Sequence, residues 1–125
     1  MTFLCQGSTI LTVIDLVSEK VDGVPAVRIS GRIDMDTAKD LEEACNTWID
    51  QGERSLILDL THVRYISSWG LRCILTVGKK LDQKGGQLIA CGLNATVKEV
   101  FQISGFDSAF LTFPTIAGAL AAVRR

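Results

Sequence analysis

A chain of 125 residues, 47% hydrophobic and 22% charged, has the length of one domain and the composition of a soluble globular protein. A net charge of −1 argues against a nucleic-acid-binding surface, which is normally basic, and the apolar stretches are far too short to span a bilayer. The opening segment Met1–Lys20 has no basic stretch and no small-residue cleavage site, so no signal peptide and a cytoplasmic location are expected. The elements then follow in chain order. Ile10 to Lys20 is β-rich and partly alternating, Asp22-Gly23 supplies a turn, and Val24 to Ile33 reads as a second strand. The pair suggests an antiparallel hairpin.

A helix follows, capped by Asp34 or Asp36 and stopped near Gly52. Its apolar face is Ala38, Leu41, Ala44, Cys45, Trp48 and Ile49, recurring at steps of three and four. Arg54 to Leu60 is a short continuous apolar run, the pattern of a strand buried on both faces. Thr61 begins a loop that carries the single histidine, His62. Ser68 to Leu81 reads as a second helix with Leu71, Ile74, Leu75 and Gly78 inward, broken by Gly85-Gly86. Then come a strand over Gln87–Gly92, a helix capped by Asn94 and stopped by Gly105, and a short strand over Ala109–Pro114. A last amphipathic helix covers Thr115–Arg125. The order is β-β-α-β-α-β-α-β-α. Repeated strand–helix–strand units require right-handed crossovers and a largely parallel sheet, and the leading hairpin makes it mixed. The expected fold class is therefore α/β: a mixed, mostly parallel sheet with an N-terminal hairpin and about four helices packed on it.

Little in this chain points to catalysis. The four cysteines, Cys5, Cys45, Cys73 and Cys91, show no C-x-x-C pairing, so a zinc site is not expected and the cysteines read as small apolar residues in a reducing compartment. No nucleophile–base pair is visible, and Gly85-Gly86 lacks the Lys-Ser/Thr that a phosphate-binding loop needs. No enzyme activity, cofactor or metal is expected. Cys45 and Cys73 are expected to be buried thiols on apolar helical faces.

Attention goes instead to Ser67 and Ser68, which stand where a strand has ended and a helix begins. In open α/β sheets functional groups gather beyond the carboxyl ends of the strands. A hydroxyl there caps free backbone N–H groups, and either serine can do so. The same positive helix end also tolerates an added anion such as a phosphate.

The stretch LILDLTHVRYISSWGLRCIL is similar to the signature of STAS domains, the anti-sigma factor antagonist family. ISGRIDMDTAKDLEEA resembles the family's Gly-x-Leu/Ile-Asp and first helix. GGQLIACGLNATVKEVFQISGFDSAF resembles its later strand, capped helix and Gly-Phe-Asp turn, and TIAGALAA its closing helix. The likeness runs in order over about residues 11–123 and implies a single STAS domain over 1–125. It places Ser68 on the family's phosphorylatable serine, Gly70 on the glycine that follows it, and Asp34 on the acidic residue of an early β–α loop. Asp59 falls at the end of the central strand. Two departures stand out. Ser67 occupies a place where many members have aspartate, and Trp69 is larger than the usual small residue. A large aromatic there is either a partner contact or packed against the sheet.

The resemblance implies partner switching. The unphosphorylated protein binds an anti-sigma factor that is also a serine kinase, phosphorylation of Ser68 dissolves the complex, and a PP2C-type phosphatase resets it. Asp34, Ser67, Ser68, Trp69 and Gly70 are the expected partner-binding residues on a monomer or weak dimer. The alternative is a STAS scaffold or accessory subunit of a stressosome-like or lipid-transport assembly.

Overall fold

The computed structural model describes residues 15–105 and 111–123. The expected hairpin is present as β1 (Asp15–Val21) and β2 (Val24–Ile33). The part of the first expected strand before residue 15 lies outside the described residues. Asp22 and Gly23 both have positive φ, 52° and 81°, which is the type I′ geometry of a two-residue hairpin loop. This mirror-image turn matches the twist of the strands it joins, and Gly23 meets it without a Cβ penalty.

The remaining elements are α1 (Met35–Asp50), β3 (Ser55–Ile66), α2 (Ser68–Gln83), β4 (Gln87–Cys91), α3 (Ala95–Ile103), β5 (Leu111–Phe113) and α4 (Ile116–Ala122). The strands form one sheet in the order β1-β2-β3-β4-β5. Only β1 is antiparallel; β2 to β5 run parallel. The mixed sheet with a hairpin at one side is the expected architecture. Arg124 and Arg125 of the expected last helix lie outside the described residues.

Two buried clusters cover the two faces. The larger joins Val27, Ile29 and Ile33 of β2 and Leu56, Leu58, Leu60 and Val63 of β3 to the apolar faces of α1, α2 and α3. The smaller holds Ala26, Ile57, Ile89 and Cys91 under Ala119 of α4. Consecutive right-handed crossovers in a sheet that grows in one direction place α1, α2 and α3 on the same face. The last helix, α4, comes after β5 and folds onto the other face.

Two expectations need correction. The strand expected to stop at Leu60 runs on to Ile66, so His62 is an exposed strand residue and not part of a loop. The pairing shows why the stretch Thr61–Arg64, apolar only at Val63, hides the strand. Arg28 opposes Asp59 but Ser30 opposes His62, and Gly31 opposes Val63 while Arg32 opposes Tyr65. Extra residues in β3 bulge out at both shifts, and alternation fails there. The second correction is at α2. Leu75 is only half-buried, and Cys73 and Val77 take the inward places beside Leu71, Ile74, Gly78 and Leu81. The apolar stripe is turned toward α1, its neighbour on the same face.

Cys45 and Cys73 are buried, 1% and 7% exposed. Burial, with Glu42 adding to it, pushes the Cys45 thiol up to about 12. Burial also raises Cys73. At pH 8 a thiol with a pKa of about 12, as at Cys45, is a thiolate in roughly one molecule in ten thousand. Alkylation of the native chain, read by peptide mass spectrometry, is expected to modify Cys45 and Cys73 at least about a hundredfold more slowly than in urea. Rapid native labelling of both would contradict the packing.

Candidate functional site

The carboxyl ends of β2, β3 and β4 share one rim, and a helix starts from each. Every one of those helices begins on a side-chain cap. Asp34 Oδ1 accepts from the backbone N–H of Asp36 and of Thr37 at 3.1 Å each, and the Thr37 hydroxyl accepts from the Asp34 N–H at 2.8 Å. Ser67 Oγ accepts from Gly70 N–H at 3.0 Å. Asn94 Oδ1 accepts from Val97 N–H at 2.9 Å, while its Nδ2 donates to the Val63 carbonyl at 2.7 Å and ties α3 to β3. The backbone N–H bonds at the Asp34 carboxylate, from Thr37 first, hold it below the usual range. Asp34 rather than Asp36 is therefore the cap, and its carboxylate serves its own helix.

The open question of the two serines has a definite answer. Ser67 is the N-cap, in extended backbone with φ −80° and ψ 168°. Ser68 is the first residue of α2. It is exposed, and among the described residues its hydroxyl has no hydrogen-bond partner. One serine caps the helix and the next leaves its hydroxyl exposed.

What seats α2 so close to the strands is Gly70. The Ser67 N–H donates to the Ile33 carbonyl at 2.8 Å, joining the start of α2 to the end of β2. A Cβ at Gly70 would lie 2.7 Å from Ile33 Cγ2, 3.2 Å from the Ile33 carbonyl oxygen and 3.3 Å from Ile66 Cγ2. Gly70 is itself buried. Its lack of a Cβ lets α2 descend onto Ile33 and Ile66 and so shapes the rim on which it was expected to meet a partner.

Trp69 is 44% exposed, so it stands on the rim and is not tucked against the sheet. The Arg72 guanidinium lies over its ring, 5.8 Å from the centroid. A second such pair stands on the neighbouring strand ends, Arg32 over Tyr65 at 4.4 Å, with Tyr65 42% exposed. Met35, at the start of α1, is 62% exposed. Arg32, Tyr65, Arg72 and Met35 were not among the residues expected here. The Ser68–Arg72 spacing of four was legible once Ser68 was placed on a helix. Tyr65 was not, because it lies in the bulged end of β3 that reads as loop.

Asp59 sits behind the rim and organises the bulge. Its Oδ1 accepts from Thr61 N–H at 3.1 Å and from the Thr61 hydroxyl at 2.5 Å, and its Oδ2 accepts from Arg28 Nε at 3.2 Å. Burial disfavours the charge on Asp59, but the Thr61 bonds and Arg28 outweigh it and leave the carboxyl lowered. Among the described residues no group of three or more His, Cys, Asp or Glu is placed to hold a metal ion. No described helix is long and apolar enough to cross a membrane. The rim thus carries an exposed serine hydroxyl, an exposed indole and two arginine–aromatic pairs.

Known proteins share this arrangement of elements. The STAS domain family model matches residues 15–119. A Bordetella bronchiseptica protein designated BtrV, assigned as an anti-sigma factor antagonist, is 43% identical over 95 residues, 76% of this chain and 82% of that one. A crystal structure of an anti-sigma factor antagonist from Mycobacterium paratuberculosis superposes with a TM-score of 0.81 at 32% identity, covering 90% of this chain and 95% of that one. The Bacillus cell fate determinant SpoIIAA, solved in its phosphorylated form, shares the fold with a TM-score of 0.71 at 23% identity over 88% of this chain and 100% of that one. With a family match over nearly the whole described fold and relatives of this kind, the chain belongs to the STAS domain family and, by homology, to its anti-sigma factor antagonists.

Proposed function

We propose that this protein binds an anti-sigma factor through the rim formed by Asp34, Ser67, Ser68, Trp69 and Gly70, and that phosphorylation of Ser68 releases it. The bound partner is itself the ATP-dependent serine kinase, and a PP2C-type phosphatase restores the binding form. The reading also takes residues 1–125 as a single STAS domain that works as a monomer or weak dimer in the cytoplasm, without cofactor.

The observation that carries this reading is the division of labour between the two serines. Ser67 is committed to capping α2, whereas Ser68 presents a free hydroxyl one residue into the helix. A phosphate at that place meets the positive end of a sixteen-residue helix, so the fold tolerates it. It adds about −1.5 to −2 charge at the centre of the docking rim, which a partner must then desolvate or repel. SpoIIAA, which shares the fold, has a structure in a phosphorylated form. Ser67 stands where many family members have aspartate, and a serine caps a helix as well as aspartate does.

The test begins with a pull-down from the native cells, using Ser68→Ala as bait to hold the complex. The captured kinase is then incubated with wild-type protein and ATP, and the product mapped by mass spectrometry. Phosphate on Ser68 is expected. Phosphate on Ser67 or elsewhere, or none from an active kinase, rejects the switch and leaves the scaffold alternative.

Trp69 provides a separate check. Exposed tryptophans at interface centres are frequent hot spots. Trp69→Ala is expected to weaken partner binding by more than about 1 kcal/mol in titration calorimetry, with the urea midpoint unchanged. Unchanged binding with a lowered midpoint would make Trp69 a packing residue.

A further inference from the structure

We infer that Arg72 is the residue that binds the phosphate on Ser68, and that it leaves the Trp69 ring to do so. This rests on Ser68 being the modified residue. Ser68 and Arg72 are four apart on α2, and residues at that spacing stand one above the other on a helix face. In the unmodified chain the Arg72 guanidinium is 5.8 Å from the Trp69 centroid. Among the described residues the ion pairs are Lys20 with Glu53 and Arg28 with Asp59, so no carboxylate competes for Arg72. Arg32, a further arginine on this rim, is engaged over Tyr65 at 4.4 Å.

Arg72 thus has two partners within reach and one guanidinium. A cation–π contact at an exposed site is weak. A charge-assisted, two-pronged bond from arginine to a phosphate monoester is stronger and more directional. Once the phosphate is present, Arg72 moves to it. The modification then alters the docking surface twice over. It places an anion at the helix start, and it strips the cation from the tryptophan on the same turn. A carboxylate is shorter and singly charged, so an aspartate at this position draws Arg72 away less completely.

The test installs phosphoserine at position 68 during translation, so that no kinase is needed. The second ionisation of the phosphate, ordinarily near about 6, is followed by phosphorus NMR. A paired cation favours the dianion and lowers the midpoint. The midpoint is expected to be lower in the phosphorylated parent than in phosphorylated Arg72→Gln by about half a pH unit. Arg72→Lys, which keeps the charge and loses the planar fork, is expected to recover part of the difference. The indole N–H signal of Trp69, assigned with Trp69→Phe, is expected to move on phosphorylation in the parent and to move less in Arg72→Gln.

Equal midpoints in parent and Arg72→Gln would show that the helix end alone holds the phosphate and would overturn the inference. A lowered midpoint with an unmoved indole would overturn the exchange with Trp69. Because the phosphate is built in, this outcome is independent of whether a kinase uses Ser68. A kinase that ignores Ser68 removes the proposed switch and with it any use of the Arg72 site, whereas equal midpoints remove the Arg72 site alone.

Discussion

Gly70→Val is expected to lower folding stability by about 3 kcal/mol in urea denaturation, with Gly70→Ala falling between it and the parent. The reason is the seat of α2. A Cβ at Gly70 meets Ile33 Cγ2 at 2.7 Å and the Ile33 carbonyl oxygen at 3.2 Å. Neither can step aside. Ile33 is fully buried, its γ-methyl hangs from a β-branched carbon with a stiff χ1, and its carbonyl accepts the Ser67 N–H. An alanine in a helix ordinarily gains up to about 1 kcal/mol over glycine, so the clash must first cancel that gain. Gly118 supplies the control. It stands three residues after its own cap, Thr115, just as Gly70 stands three after Ser67. A Cβ there would have its nearest neighbour at 3.5 Å, an ordinary contact. Gly118→Ala is therefore expected to stabilise by up to about 1 kcal/mol. If Gly70→Ala also stabilises, the close seating of α2 on Ile33 and Ile66 is wrong.

That seat was legible in the sequence only as a glycine after two serines. The helical stripe of α1 and the Asp22-Gly23 turn were readable because each rests on local periodicity or backbone chemistry, whereas the α2 stripe was read with Leu75 inward in place of Cys73 and Val77. The end of β3 was not readable. Its bulges put Val63 and Ile66 inward at a spacing of three, and no period-two reading finds that. The choice between Ser67 and Ser68 as cap was undecidable from sequence, since both are good capping residues. It turns on where the extended backbone ends, which the bond from Ser67 N–H to the Ile33 carbonyl fixes across 34 residues of chain. The exposure of Trp69 was hidden for the same kind of reason. Whether an indole at a helix start lies down or stands up depends on how deeply the helix sits, and Gly70 sets that depth.

With Ser67 holding the helix, a change at Ser68 separates binding from folding. Ser68→Asp is expected to weaken binding to the anti-sigma factor at least tenfold, about 1.4 kcal/mol, while Ser68→Ala binds like the parent and ignores kinase and ATP. Neither variant removes a hydrogen bond that the fold uses, because the Ser68 hydroxyl has no partner among the described residues. An aspartate in the first turn even interacts favourably with the helix end, by about 0.3 to 1 kcal/mol at an exposed site. The urea midpoint of Ser68→Asp should therefore equal or exceed that of the parent as its affinity falls. Ser67→Ala runs the other way. It deletes the cap on Gly70 N–H, so stability is expected to drop by about 1 kcal/mol while no charge enters the rim. Calorimetric titration and urea denaturation on the three variants decide the matter together. If Ser68→Asp binds as tightly as the parent, a negative charge at this position does not control docking. If its affinity and its midpoint fall together, Ser68 is part of the scaffold and the two serines share one structural role.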